Sequence, residues 1–192
     1  MQNGNPNAIQ TKQQLIILMN STIDLPIETK RLVIRRFIDS DLELFLAFML
    51  DERSTKYLMF DEEQKTKSGA TNLFNIVRNS YDTKQPVYSF AIAEKQSDRY
   101  VGSCGFSPYD RDIWEIYYSI NGDRENRGFA TEAIQAMVLH LSQQGEIRAY
   151  CHPQNKAAHK VALKSGFIER GLAKHQHFDR EGYLFIYQDK TK

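Results

Sequence analysis

The chain has 192 residues, 41% of them hydrophobic and 26% charged, which suits one globular domain with a core of its own. A net charge of +1 gives no bulk field to draw nucleic acid or an anionic membrane, and apolar runs such as residues 15–19 fall far short of the ~20 residues that span a bilayer. Cys104 and Cys151 make no disulfide framework and read as buried structural thiols, so a soluble protein of a reducing cytoplasm is expected.

In chain order, residues 1–10 are polar and expected to be disordered, and residues 11–21 carry Leu15, Ile16 and Met19 on one side of a short amphipathic helix ended by Pro26. Residues 1–24 therefore read as an extension ahead of one domain over 25–192. Alternation predicts a strand over 31–37. Asp39 or Ser40 then caps a helix whose Leu42, Leu44, Phe45 and Phe48 share a buried face. Residues 51–63 are irregular and hold Tyr57, Met59 and Phe60. A second helix is predicted over 65–81, then strands over 87–94 and 100–107 joined by a hairpin at 95–99. A turn at 109–112 leads to an aromatic and β-branched strand over 113–120. A helix over 128–144 turns Ile134, Met137, Val138 and Leu141 inward. A strand over 146–152, a helix over 156–165 ending at Gly166, and strands over 167–173 and 182–188 complete an α/β pattern without repeat or linker.

The stretch Glu125-Asn126-Arg127-Gly128-Phe129-Ala130-Thr131-Glu132-Ala133 joins the strand at 113–120 to the next helix. Strand, polar turn, glycine and helix together offer unpaired N–H groups and the positive end of a helix dipole to an anion. Gly128 has no side chain to block a close approach, and Arg127 adds a cation. The expected ligand is a phosphate or pyrophosphate. The turn lacks the spacing of a P-loop, G-x-x-x-x-G-K-[ST], and that of a dinucleotide fold, G-x-G-x-x-G.

This turn resembles the pyrophosphate loop of the GNAT acyltransferases, [RQ]-x-x-G-x-[GA]. Its Gly and Ala positions match, and its first position holds Glu125, with Arg124 adjacent. Ile27-Glu28-Thr29-Lys30-Arg31-Leu32-Val33-Ile34-Arg35 resembles the L-E-T-x-R-L-x-L-R opening of the RimJ/RimL branch. Gly128-Phe129-Ala130-Thr131-Glu132-Ala133 is similar to its G-Y-A-T-E-A. Pro153-Gln154-Asn155 with Lys164-Ser165-Gly166-Phe167 resembles its P-x-N-x-x-S…K-x-G-F segment. The four stretches occur in the family's order over residues 25–188.

The resemblance implies one α/β domain with a mixed, mostly antiparallel sheet, a splayed strand pair and flanking helices. It implies an acetyl-CoA-dependent N-acetyltransferase, with an amine acceptor on a protein N-terminus or a small molecule, no metal, and a monomer or homodimer. Its cofactor-contacting positions fall on Tyr118, Ser119, Ile120, Arg127, Gly128, Phe129, Ala130, Thr131, Asn155 and Lys164.

Acyl transfer from a thioester to an amine needs a base for the amine, polarisation of the carbonyl and a proton for the leaving thiolate, but no covalent nucleophile. Glu115, on the strand before the loop, is the candidate base; a solvated charge or an arginine partner is the competing reading. Alternation puts Glu115, Tyr117 and Ser119 on one face and Trp114, Ile116, Tyr118 and Ile120 on the other, unless a bulge changes the parity. Asn155 is expected to contact the cofactor arm, act at the reaction centre, and cap the helix that follows. The family serine three residues on is Ala158, and Tyr109, Tyr117, Tyr150 and Tyr183 are conceivable sources of the missing hydroxyl. His175 and His177 share a strand face without a metal-ligand pattern and read as a surface pair. The Tyr57-Met59-Phe60 segment lines the acceptor site or merely packs. Two further readings stay open: a non-catalytic domain that binds CoA as a sensor, and transfer of a larger acyl group.

Overall fold

The computed structural model describes residues 23–188, so the helix expected over residues 11–21 lies outside the described residues. Strands β1 (Ile27–Glu28) and β2 (Leu32–Arg35) pair as a hairpin. A 3-10 turn at Asp39–Asp41 precedes α1 (Leu42–Met49), followed by α2 (Glu52–Thr55) and α3 (Lys67–Ser80). The irregular stretch expected after α1 thus contains a helical turn, because the Asp51 carboxylate caps it by accepting from the Ser54 N–H at 3.0 Å. Thr66 caps α3 in the same way, accepting from the Gly69 N–H at 3.1 Å. On α1 the fully buried side chains are Phe45, Phe48 and Met49, with Leu42 and Leu44 half-buried beside them.

Next come β3 (Ser89–Glu94), β4 (Tyr100–Asp110), β5 (Ile113–Ile120), α4 (Phe129–Leu141), β6 (Glu146–Cys151), α5 (Lys156–Lys164), β7 (Phe167–Lys174) and β8 (Glu181–Tyr187). They make one eight-stranded sheet in the order β1-β2-β3-β4-β5-β6-β8-β7. β4 outruns its expected end, and the turn tightens to Arg111 and Asp112, the latter at φ +56°, a conformation aspartate tolerates.

The β4–β5 ladder runs unshifted from Gly102↔Ile120 to Pro108↔Trp114, and its bulge falls on β4, where Tyr109 is the extra residue. Strand β5 therefore keeps strict alternation. Trp114 and Ile116 are buried under α4 in the core with Ile134, Met137 and Leu141. Glu115, Tyr117 and Ser119 lie on the opposite face, which α1 and α3 cover through an aromatic cluster of Phe37, Phe45 and Phe74. Opposite Tyr117, Gly105 admits the ring: a Cβ there would stand 2.6 Å from Tyr117 Cε1 and 2.1 Å from the Tyr88 carbonyl oxygen.

One junction opens the sheet. β5 and β6 are parallel and pair only at Ile113↔Glu146, Trp114↔Ile147 and Glu115↔Arg148. Beyond that point β6 pairs with β8 alone, and β5 continues to Ile120 without its β6 neighbour.

Candidate active site

Gly128 is the N-cap of α4, at φ +76°, and no side chain caps it. Among the described residues, the first-turn N–H groups of Phe129, Ala130 and Thr131 have no protein acceptor; the helical ladder begins with the Glu132 N–H to the Gly128 carbonyl. A Cβ on Gly128 would meet only Arg31 Nη2, at 3.5 Å. The loop is therefore open and backbone-lined, with the free N–H groups of a helix N-terminus facing outward, a geometry suited to an anion.

Arg31, which the sequence pattern does not mark as a site residue, organises this loop. Its Nε donates to Glu132 at 2.6 Å, its Nη1 donates to the Arg127 carbonyl at 2.9 Å, and its guanidinium lies 4.8 Å from the centre of the Phe129 ring. Glu132 also accepts from the Thr29 hydroxyl and the Arg31 N–H, both at 2.7 Å. Burial pushes the Glu132 pKa up, but these hydrogen bonds outweigh it and hold the carboxyl below its ordinary value. Two motifs a hundred residues apart thus form one clasp. Their co-occurrence was the available signal.

Arg127 is exposed at the rim. Arg124 turns instead to Glu94 and Asp123, at 3.4 and 3.3 Å, so it does not supply the cation that Glu125 displaces. Glu125 itself meets Arg53 of α2 at 3.2 Å.

The β5–β6 splay opens into a cavity of about 380 Å³. Tyr118, Ser119, Asn155 and Ala158 border it toward the loop, Glu115 and Tyr150 at the fork, and Tyr57, Met59 and Phe60 on the far wall. The Asn155 Oδ1 accepts from the Ala158 N–H at 3.0 Å, so the residue caps α5 while lining the cavity. Ile120 packs against Gly102 and Lys164 is exposed at the far end of α5, its carbonyl accepting from Gln135; neither borders the cavity.

The expected surface pair holds for His177, which is exposed, but not for His175, which is 2% exposed and sits 2.9 Å from a Glu115 carboxylate oxygen. His175 Nδ1 accepts from the His177 N–H at 3.1 Å, so the ring hydrogen assigned by this network lies on Nε2 and donates to Glu115. His177 in turn donates from Nε2 to the Tyr109 carbonyl at 2.8 Å. Docking of the turn after β7 onto the β4 bulge buries the histidine, a long-range event that the His-Gln-His pattern does not encode.

A hydroxyl at the position of the missing serine's residue comes from Tyr118, which donates to the Ala158 carbonyl at 2.7 Å; burial pushes its pKa up. The four tyrosines weighed from sequence have other partners. Tyr109 and Tyr150 bond each other at 3.0 Å, Tyr183 packs against His159, and Tyr117 is directed over Gly105. Tyr117 is 40% exposed, but to the cavity it lines, and enclosure there raises its pKa. Both cysteines are free and buried, and burial pushes the Cys151 thiol up to about 11, so neither is an activated nucleophile. Among the described residues no group of three or more His, Cys, Asp or Glu could hold a metal ion, and no helix is long and apolar enough to cross a membrane.

The family description Acetyltransferase (GNAT) domain matches residues 31–168. An uncharacterized N-acetyltransferase, p20, of Bacillus licheniformis is 26% identical over 152 residues, covering 75% of this chain and 83% of its own. The ribosomal-protein-serine acetyltransferase of Escherichia coli is 33% identical over 72 residues, 36% of this chain and 40% of its own. The microcin C7 self immunity acetyltransferase MccE, solved in complex with acetyl-CoA and AMP, has the same fold, with a TM-score of 0.69 at 14% identity over 86% of this chain and all of its own. The clasped glycine loop, the splayed strands and the family match over most of its length together place this chain in the GNAT acetyltransferase family.

Proposed function

We propose that the protein transfers an acetyl group from acetyl-CoA to a primary amine by direct attack within a ternary complex. The observation that carries this reading is the alignment of three features along β5. The anion seat at Gly128 follows its C-terminal end, an open edge runs back along it, and Glu115 stands where β6 rejoins. From Ile120 to Glu115 the strand spans about 17 Å at ~3.4 Å per residue. An extended, amide-bearing donor arm anchored by its pyrophosphate at Gly128 can add to that edge as a further strand and present its thioester near Glu115. The acetyl-CoA complex of MccE, which has this fold, supports the choice of donor.

In this reading Glu115, oriented by the His175 N–H, takes the proton of the acceptor ammonium directly or through water. The freed nitrogen attacks the thioester carbon, forming the C–N bond as the C–S bond breaks, and sheds its second proton to solvent or to the hydroxyl that protonates the thiolate as the neutral amide forms. The Tyr118 hydroxyl, which borders the cavity and is bonded to the Ala158 carbonyl, is the candidate proton source for the departing thiolate. Release of free thiol from acetyl-CoA, followed with a thiol reagent across an amine panel, tests the reading. Release above the hydrolysis background is expected. CoA binding without amine-dependent release would favour a CoA-binding module, a reading that the alanine at position 158 keeps in view.

A further inference from the structure

The amine's identity is written in the wall facing Glu115. On that side of the sheet the cavity is bounded by Phe45, Phe48, Met49, Met59, Phe60 and Leu73, supplied by α1, α3 and the segment between α2 and α3. Glu115 is the single carboxylate on the cavity, and no aspartate, lysine or arginine borders it among the described residues. Apart from the backbone, its remaining polar groups are serine and tyrosine hydroxyls, the Cys151 thiol, His152 and Asn155. An acceptor carrying a carboxylate or phosphate would meet no cation there. A polyamine would bury its second ammonium without a second carboxylate, and an unpaired buried charge is strongly disfavoured.

Resting on the amine-transfer reading, we propose that the acceptor is a primary amine borne on an uncharged apolar or aromatic body of about one ring. Its nitrogen lies at Glu115 and its body lies against the Met49, Met59 and Phe60 wall. The same face of β5 carries Glu115 and Tyr117 and looks onto this wall. A long acyl chain laid in the chamber would stand between the base and the amine, so the chamber serves the acceptor rather than the acyl group. A free amine and the first residue of a peptide share this chemistry.

The test is calorimetric titration of the protein saturated with CoA, using 2-phenylethylamine, ethanolamine, spermidine, and short peptides beginning with Phe or Ser. Phenylethylamine, the Phe peptide or both are expected to bind at least tenfold tighter than the other three, and which of the two prevails identifies the source. Met59→Asp, at a residue 44% exposed, should reduce that affinity at least fivefold without changing CoA affinity or Tm, and Val87→Asp, at a residue just ahead of β3 that also borders the cavity and is 41% exposed, gives an independent check. Equal or tighter binding of ethanolamine, spermidine or the Ser peptide overturns the proposal, as does indifference to both substitutions. Hexanoyl-CoA used as efficiently as acetyl-CoA, with loss of phenylethylamine binding to its complex, overturns it too by making the chamber an acyl pocket. Selective binding of the apolar amines without turnover sinks the acyl-transfer reading while the pocket assignment stands.

Discussion

Glu115 and His175 belong to elements sixty residues apart, and their 2.9 Å contact gives the carboxylate one fixed orientation in a half-buried setting. A positioned base contributes roughly 10²–10⁴ in rate. Glu115→Gln is therefore expected to lower kcat by about that factor at neutral pH while leaving CoA affinity unchanged, measured by steady-state kinetics beside a CoA titration. His175→Ala should lower kcat less, at unchanged CoA affinity, because Glu115 loses its fixed orientation. Wild-type kcat in that variant would reduce the histidine to packing. At the loop, the space beside Gly128 is open and its φ is +76°. Gly128→Trp should abolish CoA binding by filling the anion seat, at a strain cost of about 1 kcal/mol. Circular dichroism establishes that the variant is folded, and wild-type affinity in that folded protein would reject the seat. Arg127→Ala, at the rim, should cost about 1–2 kcal/mol of CoA affinity, the range for a charge-assisted contact.

At the scale of elements, α5 presents its first turn to the splay. Asn155 caps it while lining the cavity, and Tyr118 bonds the Ala158 carbonyl. Asn155→Ala should lower unfolding free energy by about 1 kcal/mol through loss of the cap and weaken CoA by about 0.5–1.5 kcal/mol through loss of one neutral hydrogen bond. Chemical denaturation and calorimetry separate the two effects. Ala158→Ser should keep the fold and raise turnover or affinity modestly; no change in either would mean that Tyr118 already covers the role. A second element-scale device is the Arg35 network. Its guanidinium meets Asp41 at 2.7 and 3.0 Å and Asp98 at 2.7 Å, tying β2, the start of α1 and the β3–β4 hairpin. This holds the chamber's first helix against the sheet.

Across the whole molecule, burial of phenols sets the alkaline limit. Burial pushes Tyr81 up to about 12, against partial relief from the Phe37 N–H. An unfolded tyrosine ionises near pH 10. Between about pH 10 and 12 the unfolded state therefore holds fewer protons than the folded one, and stability falls as pH rises. The stabilisation is complete below pH 10 and is lost as pH approaches 12. Urea midpoints measured from pH 8 to 11 should decline over that window, and Tyr81→Phe should flatten the decline while lowering the plateau through loss of the hydrogen bond to the Ser89 carbonyl at 2.7 Å.

Local chemistry made much of this architecture legible in the sequence. The apolar spacing of Ile134, Met137, Val138 and Leu141 defined the buried face of α4, and all four are buried. The bounds of β5 match the aromatic and β-branched run, and the glycine turn signalled a helix start with exposed N–H groups, because only a few backbone geometries leave them unpaired. The tertiary structure decided what depends on residues distant in sequence. It placed the bulge on β4 rather than β5, since register is set by both strands of a ladder. It buried His175, because the β7–β8 hairpin folds back onto Tyr109. It joined Arg31 to Glu132, left Lys164 and Ile120 off the cavity, and brought Tyr118 to the backbone of Ala158. Periodicity reports which face of an element is apolar; which partner that face meets is fixed only when loops close and strands choose their neighbours.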